Sequence, residues 1–102
     1  MSIKLVLLKS GEQVISDAKE LVSDDKVHGY LFNKPQRIST AKPILLTEDA
    51  SEDRSLEITL SPWVLLTKDD EMVVPKDWVV TIVEPIDSIV KMYQDKINGK
   101  NN

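Results

Sequence analysis

Cysteine is absent from this 102-residue chain, and histidine occurs once, at His28. Without cysteine there can be no disulfide, no thiolate nucleophile and no zinc site built on sulfur. A lone histidine excludes a His-cluster metal site within one chain. Glycine stands only at positions 11, 29 and 99, too scattered for a loop that cradles phosphates. No apolar stretch approaches the ~20 residues of a membrane span. The run at positions 5–8 is shorter than the apolar part of a signal peptide. These absences lead us to expect a soluble, cytoplasmic protein with no metal and no cofactor. Positive charge is also short: 13 Lys and Arg against 17 Asp and Glu leave a net charge of −4. That balance opposes non-specific nucleic-acid binding, so any such site must be a local patch on an acidic body.

What is present is ordinary globular material, 41% hydrophobic and 29% charged, enough for one domain over residues 1–102. The N-terminal run Ile3, Leu5, Val6, Leu7, Leu8 reads as a strand buried on both faces. Ser10 and Gly11 make a turn. Alternation then places Val14, Ser16 and Ala18 on one side and Gln13, Ile15 and Asp17 on the other. Ser23, Asp24, Asp25 and Lys26 signal the next turn. A third strand carries Tyr30 and Phe32 on one face, expected to pack under a helix, and Pro35 at an edge or bulge. An acidic loop tip is expected at 48–53. A half-buried strand follows through Leu56, Ile58 and Leu60, broken by Pro62 and continued by positions 63–66.

The most informative segment is 71–85. Met72, Val73 and Val74 form one apolar strand, Pro75, Lys76 and Asp77 interrupt it, and Trp78 to Val83 resume it until Pro85. The period then changes. Ile86, Ile89, Val90, Tyr93 and Ile97 lie on one helical stripe, with Pro85 suited to the first helical position and Gly99 to the residue past the end. Strands over about 3–83 and a helix over about 85–98 are therefore expected.

Leu8, Gly11, Val14 and Ser16, taken with the strand–turn–strand of 72–85, resemble the two motifs of the Sm/LSm family, including its Hfq branch. The resemblance covers about half the chain. It implies a mainly β fold: a small, strongly bent, five-stranded open barrel, here with a C-terminal helix. It also resembles small uncharacterised proteins of tailed marine phages, which implies a viral source and a host-cytoplasmic location. The departures are specific. Serine stands at 16 where the family has glycine. Residues 23–28 lack the family's Asp-x-aromatic-x-Asn element. The turn at 75–78 lacks its Arg-Gly or Lys-His pair.

The family pairs its last two strands between subunits, head to tail, and such a contact makes a ring when the rotation closes. Trp78, Val79, Val80, Thr81, Ile82 and Val83 are the expected interface, since five of these six residues are hydrophobic. A homo-oligomer of roughly five to seven subunits follows. The competing reading makes this run a core strand covered by the helix.

Lys76 and Trp78 are the first candidates for nucleic-acid contact, a cation beside an aromatic that can stack a base. Lys34 and Arg37 are the second, in a stretch of cations free of acids. Each has a plainer alternative: Trp78 packed in the barrel or interface, and Lys34 and Arg37 as a solvated basic edge. His28 reads as a plain strand residue, and residues 69–71 read as a turn. No set of residues suits acid–base or nucleophilic chemistry, so an enzyme is not expected. The leading functional expectation is a homo-oligomeric ring binding single-stranded nucleic acid, RNA foremost, without catalysis. The alternative is a protein-interaction or assembly module with no nucleic-acid role.

Overall fold

The computed structural model describes residues 1–41 and 57–99. The expected acidic loop tip, Leu56 and the C-terminal residues beyond Gly99 lie outside them. The described chain is mainly β. It runs β1 (Ile3–Leu8), β2 (Gln13–Ser23), β3 (Lys26–Ala41), β4 (Glu57–Pro62), β5 (Glu71–Pro75), a 3-10 turn (Lys76–Trp78), β6 (Val79–Val83) and α1 (Asp87–Ile97). All pairings are antiparallel, in the order β4-β3-β2-β1-β6, with β5 also on β3.

The turns follow from their residues. Gly11 adopts φ +91° between β1 and β2, open to glycine at no steric cost. Asp24 and Asp25 both have positive φ (54° and 63°) between β2 and β3, as a two-residue hairpin of matching twist requires.

Six strands replace the five expected, and the cause lies in β3. This strand is 16 residues long and serves two partners along one margin. Its first half, Gly29 to Asn33, pairs with β5; its second half, Gln36 to Ala41, pairs with β4. Between the halves the strand bends. The register with β2 shifts between Ile15 and Asp17, and Lys34 takes φ +52°. Pro35 sits in that bulge, where its missing N–H costs no ladder bond. The bend expected at Ser16 is therefore made without glycine, the left-handed residue being Lys34 across the ladder.

Every backbone group freed by the bend finds a partner elsewhere, as buried polar groups must. The Lys34 amide donates to the Asp70 carbonyl at 2.6 Å, and the Trp63 amide donates to the Pro35 carbonyl at 3.1 Å. The buried Ser16 hydroxyl donates to the Asn33 carbonyl at 3.0 Å. The Tyr93 phenol donates to the same carbonyl at 2.8 Å and accepts from the Asp17 amide at 3.1 Å. One tyrosine on α1 thus bridges the opened ladder of β2 and β3.

The curled sheet has a core on each face. The concave side holds Val6, Leu8, Val14, Ala18, Phe32 and Val74, with Tyr30, Trp63, Val79 and Ile82 packed against them. The other face holds Ile15, Leu60, Ile89 and Tyr93, joined by Ile3, Ile38, Ile58, Met92 and Ile97. Tyr30 and Phe32 were expected under the helix and lie in the concave core instead. Alternation shows that two residues share a face but not which face the helix covers. Residues 63–66 do not prolong β4, because the chain turns after Pro62. The helix begins at Asp87 with Ile86 as its N-cap, so Pro85 precedes the first turn rather than occupying it. Gly99, at φ +70°, follows its end as expected.

Candidate functional site

Met72, Val73 and Val74 alternate, so only Val74 reaches the core and Val73 points outward, 68% exposed. β5 lies unusually close to β3. A Cβ at Gly29 would stand 2.7 Å from the Val74 carbonyl oxygen, so only glycine fits there. After Pro75 the chain makes a single 3-10 turn and reverses onto β1, where Leu5, Val6, Leu7 and Leu8 face Val83, Ile82, Thr81 and Val79. The register shifts between Leu7 and Leu8, with Val80 as the extra residue on β6, 59% exposed. The Lys9 amide donates to the Trp78 carbonyl at 2.9 Å and fixes the start of β6.

Among the described residues, β6 pairs only with β1 and β5 only with β3. The outer margin of each therefore has no strand partner. β4 also pairs only with β3, but α1 packs against it. The helix core contains no β6 residue. Beside β6, toward the outer half of the β2–β3 hairpin, lies a groove of about 730 Å³ lined by Lys4, Ala18, Tyr30, Val79, Val80 and Ile82. The ammonium of Lys4, on the groove wall, pairs with the carboxylate of Glu84. Exposed apolar side chains cluster along this hook: Val73, Trp78, Val80, Val83 and Ile86. An apolar, unpaired strand margin is a template for another strand unless something covers it.

The expected nucleic-acid residues fall into two groups. Lys76 and Trp78 occupy the 3-10 turn, both exposed, with Asp77 between them. At 44% exposed, Trp78 is not a core residue. Trp63 fills the end of the concave core instead, 6.0 Å from the Phe32 ring centre, with its indole N–H donating to Glu12. Lys34 lies at the β3 bend and Arg37 on the second half of β3, opposite Val14 and Ser61. Pro75 faces Gly29 while Glu71 faces Asn33, so Lys76 and Lys34 stand at opposite ends of β5, on the order of 13 Å of strand apart. One protomer does not gather the four side chains. Lys9 is a further cation beside the Trp78 turn; sequence spacing alone could not place it there. A His28 ring nitrogen lies 3.1 Å from the Ser23 carbonyl across its own hairpin. No helix among the described residues is long and apolar enough to cross a membrane.

Fold and site together define a small antiparallel β protein whose last two strands leave their outer margins open. The chain belongs to a family of unknown function, DUF6561, whose model matches residues 1–98. No curated protein matches it.

Proposed function

We propose that this protein assembles through its β5–β6 hook into a homo-oligomeric, Sm-like ring that binds single-stranded nucleic acid, RNA foremost, without catalysis. The observation that carries the assembly is the pair of unpartnered strand margins, β5 and β6, on one apolar hook. The two margins differ, so a contact of β5 on one copy with β6 on the next is head-to-tail and closes into a ring when the rotation allows. Residues 78–83 are the interface on the β6 side.

Repetition offsets the weakness of the single site. One Lys76 and one Trp78 per subunit, set around a ring, give a circle of cations and stacking surfaces that a lone acidic protomer lacks. Base stacking on Trp78 contributes about 1–3 kcal/mol per base. Lys34 and Arg37, at the far end of β5, are a secondary phosphate contact. Fluorescence anisotropy with labelled oligo-U, oligo-A and DNA at 50 and 200 mM salt tests the reading. Saturable binding that Lys76→Ala or Trp78→Ala weakens at least tenfold supports it. Binding absent at ~50 µM protein, or insensitive to both substitutions, removes the assigned site.

The acid excess, net −4, together with the exposed Val73, Val80 and Val83, favours a second reading. The same margins could hold a strand of another protein, with no nucleic-acid role. Pull-down with nuclease treatment separates the two, since protein partners survive it.

A further inference from the structure

We infer that a cleft at the β3 bend receives a guanidinium side chain, that of an arginine in an extended, apolar-flanked segment of a partner protein. This cleft lies away from the β6 margin, and the inference does not depend on ring assembly. It is about 260 Å³, room for one long side chain, and its walls include Gln36, Pro62, Leu65, Asp69, Asp70 and Ile97.

Two independent observations give the ligand its chemistry. The first is Gln36. It is only 8% exposed, and its Oε1 is buried without a hydrogen-bond partner. An unsatisfied buried acceptor costs about 1–3 kcal/mol, and it calls for a donor from whatever enters the cleft. The second is charge. Asp69 and Asp70 line the cleft, and an adjoining open cleft shares them together with Lys34 and adds Glu71. Three carboxylates thus stand against one ammonium, and Lys34 makes no ion pair among the described residues. Ile97 ends α1 at this point, where the helix dipole also favours a cation.

The cation is organic rather than a metal. No group of three or more carboxylates or imidazoles that could hold a metal ion exists among the described residues. The remaining walls are apolar, and Val64, Leu65 and Leu66 leave a band of exposed aliphatic surface at the rim. A guanidinium on a propyl stem suits both parts. Its five donors can serve the Gln36 oxygen and a carboxylate together, its stem lies on Pro62 and Leu65, and apolar neighbours in the peptide cover the rim.

The test is an NMR titration of the full chain with the peptide N-acetyl-Leu-Arg-Leu amide, against the same peptide with neutral citrulline for arginine. The expected result is saturable movement of the Gln36 side-chain amide and of the residues 64–70 signals. Citrulline should bind at least tenfold more weakly. Gln36→Met, which keeps the volume and removes the acceptor, should weaken the arginine peptide to a similar degree. Asp69→Asn with Asp70→Asn, both exposed, provides a second variant that leaves the buried face untouched. Equal binding of the two peptides, shifts scattered over the acidic surface, or a Gln36 amide that does not move up to millimolar peptide would each overturn the assignment.

Discussion

Tyr93 holds the bend together. Its phenol is the only group from α1 that bonds both sides of the opened β2–β3 ladder among the described hydrogen bonds. Removing that hydroxyl leaves the Asp17 amide without its partner and the Asn33 carbonyl with one fewer donor. Tyr93→Phe should therefore lower stability by about 1–3 kcal/mol, read by chemical denaturation at pH 7. The same group sets a pH dependence. Burial pushes the phenol above its ordinary 10.0 and the Asp17 carboxylate adds to the rise, against the hydrogen bonds from the Asp17 backbone and Ser16. A raised folded-state value means the contribution is complete below pH 10 and fades as the pH climbs toward that higher value. The stability gap between the parent and Tyr93→Phe should narrow between pH 9 and about 11. Gly29 is the other residue under tight constraint. Gly29→Ala places a methyl against a backbone oxygen 2.7 Å away. It should loosen β5 from β3 and lower the melting temperature by several degrees.

At the scale of elements, the 3-10 turn and the strands on either side form one hook whose inner edges are paired and whose outer edges are not. Val80 stands out from β6 at the bulge, so Val80→Lys should leave the protomer folded. It would place a desolvated charge at any strand added there. We expect unchanged far-UV circular dichroism and a smaller hydrodynamic size. Much of this hook was legible beforehand. Apolar strand, polar interruption and apolar strand at 71–83 are local patterns, and so are the aspartate turn at 24–25 and the helical stripe of α1. The division of β3 between β4 and β5 was not legible, because both partners read as similar short apolar strands and only distant pairing separates them. Nor was the role of Tyr93, which sat on the helical stripe as one more core residue. Its partners lie 76 and 60 positions away in sequence. The candidate cations divided likewise: Lys76 and Trp78 share a turn, while the distance from Lys34 depended on where β5 would pair.

For the whole molecule, acidity and a repeated weak site pull in opposite directions. A lone protomer carrying −4 has little hold on a polyanion, whereas a ring presents its Lys76 and Trp78 pairs several times over. Linked weak contacts raise affinity by about 10²–10⁴ without new chemistry. Val80→Lys, with Lys76 and Trp78 intact, should therefore lose at least tenfold in oligo-U affinity as assembly fails, measured by anisotropy at 50 mM salt. Retained affinity in a monomeric variant would uncouple binding from assembly. The measurement that bears most directly on the central claim is light scattering on a size-exclusion column at micromolar concentration. Assembly through the hook predicts a mass of roughly 57–80 kDa, five to seven copies of the 11.5 kDa chain. A single species at 11.5 kDa would contradict it.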